Sequence, residues 1–165
     1  MAFDAFLKIN GIPGESMDEQ HPGWIEILSF CHALDQPASA TASSVGGATA
    51  ERVNHSALQV SHHIDRASPK IYEACCTGRH IDEVVIDVCR SGGQRVKYLE
   101  IRLEQVLISG VRVDGSPERN GFPCETLDFS YGKIRWVYTQ QKRADGSGGG
   151  NVSAGWDLTG NRCIA

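Results

Sequence analysis

The 165-residue sequence has no apolar run approaching the length of a membrane span, so no spanning helix is expected. Its start, Met1-Ala2-Phe3-Asp4-Ala5-Phe6, has neither a basic n-region nor a long apolar stretch. Export by the general secretory route is therefore not expected. The longest cationic run is Lys142-Arg143 and the formal net charge is -4, which argues against a phosphate-binding surface and hence against nucleic acid as a partner. Cys-x-x-Cys and His-x-x-x-His pairs are both missing, although the chain carries 6 cysteines and 6 histidines. His62 and His63 are neighbours, but on a strand they point to opposite faces. A metal site from His62, His80 and Cys76 would need the fold to gather them.

Signatures of catalysis are missing too. No serine is flanked by glycines two residues away on both sides, which excludes a nucleophile elbow. The Gly-Lys pair at Gly132-Lys133 leads into Ile134, not into a phosphate-binding loop. Gly146-Ser147-Gly148-Gly149-Gly150 lacks dinucleotide spacing and reads as a turn. Glu100 and Glu104 flank Arg102 on one strand face, an ion-paired solvated surface and not an acid–base couple. No cysteine is singled out as a nucleophile; Cys31, Cys75, Cys76, Cys89, Cys124 and Cys163 read as free thiols of a reducing compartment. No enzyme activity, cofactor or metal is expected.

What the sequence has in quantity is glycine, 18 residues, and period-two alternation. Phe3, Ala5, Leu7 and Ile9 mark a first strand, broken by Gly11, Pro13 and Gly14. A polar loop over residues 15–23 follows. Residues 24–34 read as a second strand, with Trp24, Leu28, Phe30 and Leu34 on one face and Ile25, Ile27, Ser29, Cys31 and Ala33 on the other. Residues 36–54 have little periodicity, and contact with a neighbouring subunit is the reading preferred over disorder. Leu58, Val60, His62 and Ile64 predict a third strand. Ser68 as N-cap, Pro69 in the first turn and Gly78 as the stop predict a short helix with Ile71, Ala74 and Cys75 on one face.

Val84, Ile86 and Val88 predict a further strand turned by Ser91-Gly92-Gly93. Leu99, Ile101 and Leu103 alternate with charges and run into residues 106–113, where both faces look apolar. Leu127, Phe129 and Tyr131 are followed by Ile134, Trp136 and Tyr138, a phase slip at Gly132 that predicts a β-bulge. A glycine-rich turn over 144–151 and a last strand over 152–158 complete a single mainly β domain, 1–165, of about six to eight antiparallel strands and one short α-helix. A barrel, closed or nearly so, and a sandwich both satisfy this pattern.

Several pieces of the chain resemble the Hcp family of type VI secretion. They are the opening Met1 to Ile9 with Ile12-Pro13-Gly14-Glu15-Ser16, Asp18 and His21; Ser68-Pro69-Lys70 with Cys75, Gly78 and His80; Tyr98, Ile101, Leu103, Val106 and Leu107; and Phe129, Ile134, Trp136 and Tyr138 with Gly155-Trp156-Asp157. The resemblance implies a two-sheet antiparallel β-barrel with one helix, assembling into a hexameric ring. It further implies rings stacked into a tube, a contractile sheath around it, a spike protein at its tip, and small effectors held in its lumen. The protein would start in the cytoplasm and leave the cell by the type VI system without a signal peptide. The cysteine count is high for the family, and Cys31 and Cys163 are candidates for bridges between rings.

Strands apolar on both faces would leave surplus apolar surface for a ring joint to hide. On that reasoning Phe6, Ile25, Ile27, Val106, Ile108 and Val111 are interface candidates, with ordinary core under the helix as the alternative. Trp24, Leu28 and Phe30 are expected in the core, and small Ser29, Cys31 and Ala33 are lumen candidates, unless that small face packs under the helix. The competing function is a monomeric, lipocalin-like barrel holding a small molecule in an apolar cavity.

Overall fold

Alternating apolar residues make β1 (Phe3–Ile9), whose Ala5, Leu7 and Ile9 point inward. In this computed structural model residues 2–37, 51–92, 95–116, 121–142 and 148–164 are described. The remaining elements are β2 (Ile25–Ile27), β3 (Ser29–Cys31), β4 (Leu34–Asp35), β5 (Asn54–His55), β6 (Leu58–His63), α1 (Ser68–Thr77), β7 (His80–Arg90), β8 (Lys97–Asp114), β9 (Cys124–Ser130), β10 (Lys133–Gln141), β11 (Gly148–Asp157) and β12 (Arg162–Cys163). Most of the segment expected to be irregular, 38–50, and residues 144–147 of the glycine-rich turn lie outside the described residues.

All pairings are antiparallel. One sheet runs β12-β11-β10-β8-β7-β1-β2, and a second wall runs β3-β6-β9 onto the far half of β8. The sheet does not close. The segment 25–31 crosses from β1 to β6, but its pairing is interrupted at Leu28, whose amide donates to the carbonyl of Ser61 at 2.8 Å. Between the walls lie Leu7, Ile25, Leu58, Ile86, Leu103, Ile108, Leu127 and Phe129, all at 2% exposure or less. Each such side chain contributes about 1.5–3 kcal/mol by leaving water. The helix packs along β8 and adds Ile71 and Ala74 to this core. The space a lipocalin would keep for a ligand is filled with side chains, so the small-molecule-barrel reading has no support here.

The second strand is not continuous, and the reading of its faces reverses. Ile25 and Ile27 are buried, while Leu28 is 49% and Leu34 51% exposed. Trp24 is half-buried on the outer face, edge-on to His21 and under the ammonium of Lys8. Of the residues expected inside, only Phe30 packs on the core, and only in part. The apparent double apolar face comes from a phase break at Leu28 and needs no second layer.

The same explanation covers residues 106–113. Val106 and Ile108 face inward; register then slips between Ile108 and Gly110, and Val111 takes over the inner face. Gly132 holds a different surprise. Leu107 pairs with Ser130 and Glu104 with Lys133, so no residue is inserted and there is no bulge at this point. Both strands break together and change face. Gln105 takes a left-handed φ of 56°, and the Gly132 amide donates to the carbonyls of both Glu104 and Gln105. A Cβ on Gly132 would stand 2.3 Å from Gln105 Oε1 and 3.1 Å from Gln105 Cβ, so a larger residue here would require the exposed Gln105 side chain to turn away.

The helix ends as expected, with Gly78 in the left-handed region at φ 64°. Its start differs. Ser68 lies within the first turn and gives its hydroxyl to the buried Glu125 at 2.7 Å, while Asp65 accepts the Ala67 amide at 2.9 Å.

Candidate assembly surfaces

β1 and β7 are the strands covered on both sides. Phe6 is buried outside the core by the loop over residues 13–24, stacked 4.3 Å from the His21 ring. That ring bridges two carboxylates, Asp18 Oδ1 at 3.0 Å and Asp87 Oδ2 at 2.9 Å. Asp87 passes the contact to Lys97 at 3.5 Å, and Lys97 to Glu100 at 2.5 Å. Glu100 meets Arg102 at 3.1 Å, and Arg102 meets Glu83 at 2.8 Å. Burial disfavours the ionised form of Glu100, but the bonds from Lys97 and Arg102 outweigh it and hold its carboxyl below the usual range. Burial likewise opposes the charge on Lys97, yet Glu100 and Asp87 raise its pKa. The strand face expected to be solvated is thus a half-buried relay of alternating charge.

Of the interface candidates, Ile25 and Val106 are 0% exposed, Ile108 2%, Phe6 4% and Ile27 8%. Val111 is half-buried against the core. These side chains are committed inside the subunit, four of them to the core and Phe6 beneath the His21 loop. They offer a neighbour almost no surface.

Apolar surface is exposed elsewhere. At one flank of the long sheet Phe3 is 44% and Leu28 49% exposed, with the Phe3 ring edge-on to Phe30 at 6.3 Å. At the opposite flank Tyr138 and Val152 are cross-strand partners on β10 and β11, 47% and 70% exposed. Phe122, 75% exposed, stands by His63 at the far end of β6 and β9.

The lumen candidates separate. Ser29 and Cys31 are exposed on β3, and Ser29 meets Ser61 across the strand at 2.6 Å. They continue into a polar face on β6, β9 and β8. Gln59 donates to Asp128 at 3.0 Å, Ser109 to the Asp128 carbonyl at 3.2 Å, and Ser130 to Ser109 at 3.0 Å. Ala33 lies past the end of β3, its amide donating to Ser56 Oγ at 2.9 Å, and belongs to the root of the β4–β5 pair. No signal in the sequence identified Ser61, Asp128 and Ser109 as neighbours of Ser29; only strand order does. Cys31 and Cys163 are exposed free thiols, whereas Cys89 is 1% exposed, with burial and then Asp87 raising its pKa to about 11. Among the described residues no three His, Cys, Asp or Glu side chains converge on a metal position; His62 is buried while His80 and Cys76 are exposed. Among the same residues no helix is long and apolar enough to cross a membrane.

The family model described as type VI secretion system effector, Hcp, matches residues 6–138. The chain belongs to the Hcp family. Protein hcp1 of Pseudomonas aeruginosa is 32% identical over 162 residues, covering 98% of each chain. Hcp1 from Salmonella typhimurium superposes with a TM-score of 0.80 at 31% identity, over 99% of this chain and 100% of that one. A structure described as a type six secretion system protein superposes with a TM-score of 0.93 at 28% identity, over 99% and 100%. This Hcp chain is a tube protein of type VI secretion, and its exposed flanks and polar face are to be read in that light.

Proposed function

We propose that this Hcp chain closes with copies of itself into a hexameric ring, that rings stack into the secretion tube, and that small effectors ride in the lumen. The observation that carries the reading is the placement of two exposed apolar patches, Phe3 with Leu28 and Tyr138 with Val152, at opposite flanks of one sheet. A ring needs two different surfaces that meet head to tail, whereas a two-fold dimer needs one self-complementary patch. The same proposal includes a surrounding sheath, a tip spike and export from the cytoplasm by the type VI route.

Such a joint has a testable signature. Leu28→Asp and Val152→Asp are each expected to convert rings to monomers in light scattering, because each places a charge in a buried apolar contact. Mixed in equal amounts, the two variants retain one good patch each and should pair without closing. Full rings from either variant, or no pairing on mixing, would rule out these flanks as the joint.

For the lumen we propose the β3–β6–β9–β8 face with Ser29 and Cys31. Its support is chemical: short hydroxyl, amide and carboxylate groups bonded to one another leave no apolar anchor to retain cargo. Ser29→Trp should leave rings of unchanged diameter in electron micrographs while reducing co-purified effector severalfold. Loss of rings would place Ser29 at a joint instead.

A further inference from the structure

Tyr131 lies where β9 gives way to β10, and its hydroxyl is shared by two histidines. His32 Nε2 is 2.6 Å from it and His55 Nδ1 2.7 Å, with the two imidazole centroids 6.2 Å apart. The histidines come from the two sides of one short stem. His32 precedes β4 and His55 lies in β5, and these strands pair Leu34 with His55 and Asp35 with Asn54. Ser56 N donates to the Ala33 carbonyl at 3.0 Å, and the Gln36 side chain donates to the Glu51 carbonyl at 2.5 Å. A single phenol therefore holds both strands of the stem to the barrel corner.

A phenol has one proton to donate. With both histidines neutral, one ring accepts the Tyr131 O–H and the other donates an N–H to its oxygen. A first proton can be absorbed, the imidazolium donating to the phenol oxygen while the O–H turns to the other ring; a second removes the last acceptor, strands the hydroxyl proton and sets two cations beside each other. Little nearby can compensate. Asp35 on β4, Glu51 and Arg52 before β5, Glu125 and Asp128 on β9, and Lys133 and Arg135 on β10 are the charged groups of the stem and of the strands that meet at Tyr131. Among the described residues none is in an ion pair with either ring; Arg52 donates to the Leu158 carbonyl, Asp128 accepts from Gln59, and Glu125 faces His62. Burial, and then the proximity of His55, hold the pKa of His32 below its ordinary value, and burial lowers that of His55. Burial also raises the pKa of Tyr131, which keeps it a neutral phenol.

We propose that His32, Tyr131 and His55 form a proton-operated clasp that fastens the β4–β5 stem to the barrel at neutral pH and releases it on acidification. The sign follows from linkage. Histidines whose pKa is lowered in the clasped state bind protons more weakly there than in the open stem. The clasp is thus fully stable above pH about 6.5 and loses stability as pH falls from that value towards the lowered pKa values. It does not depend on ring closure.

Amide hydrogen exchange at Leu34, Asp35, Asn54 and His55, corrected for intrinsic rates, tests it alongside a histidine NMR titration on the protein as purified. Stem protection should fall about tenfold or more from pH 7.5 to 5, while β7 and β8 amides keep theirs. Tyr131→Phe should give fast stem exchange already at pH 7.5, and the double variant His32→Gln, His55→Gln should remove the pH dependence. Both variants alter half-buried polar groups and should fold. Stem protection that tracks β7 at every pH, or His32 and His55 titrating at or above 6.5, would overturn the proposal.

Discussion

Replacing Glu125 by alanine is expected to lower the folding stability of the subunit by about 3–5 kcal/mol, because it removes the acceptor from a buried polar cluster and leaves its partners unpaired. Glu125 is 1% exposed on β9, between the strand wall and the helix. It accepts the Ser68 hydroxyl on one oxygen and the Tyr72 hydroxyl on the other. His62 Nε2 lies 2.7 Å away, off the line of a hydrogen bond, and its ring is fully buried. Burial, followed by the bond to Glu125, pushes the Tyr72 hydroxyl up to about 12. Glu125→Gln keeps an acceptor and the volume, so it should cost well under half as much. Urea titrations of both variants at neutral pH provide the comparison. Equal losses would mean that the carboxylate itself, with both its oxygens, is required and that an amide of the same volume cannot replace it.

Ile108→Ala should cost about 2–5 kcal/mol of folding free energy, the range for truncating a buried isoleucine. The side chain is 2% exposed and belongs to the core cluster. The variant separates core from joint. A joint residue would dissociate rings and leave the monomer's melting unchanged, whereas Ile108 should lower the melting temperature of the subunit itself. Thermal melts in the Leu28→Asp background, where rings are absent, isolate that effect. An unchanged melting temperature there would return Ile108 to the interface.

The sequence was informative where a single period holds. Ala5, Leu7 and Ile9, and likewise Leu58, Val60 and His62, fall on the inner face as alternation requires, and the helix stops at Gly78. It misled where the period breaks. Ile25 with Leu28, and Ile108 with Val111, look like two apolar faces of one strand, but an interruption and a register slip put them on different local frames. Mistaking phase for surplus surface is what drew Ile25, Val106 and Ile108 into the predicted joint. The flanking patches were hidden for another reason: Tyr138 and Val152 are 14 positions apart and meet only because the β10–β11 hairpin pairs them. The His32–Tyr131–His55 grouping spans three separate segments and leaves no local trace in the chain.

The paired break at Gln105 and Gly132 has a mechanical corollary. Because β8 runs without chain interruption from one wall into the other, with β9 and β10 following antiparallel alongside it, the two walls share a common spar. A shearing load on one wall is carried along backbone covalent bonds into the other before any interstrand ladder has to yield. A component driven lengthwise at speed would therefore be expected to travel as one stiff body, its weakest seam lying between copies and not within them.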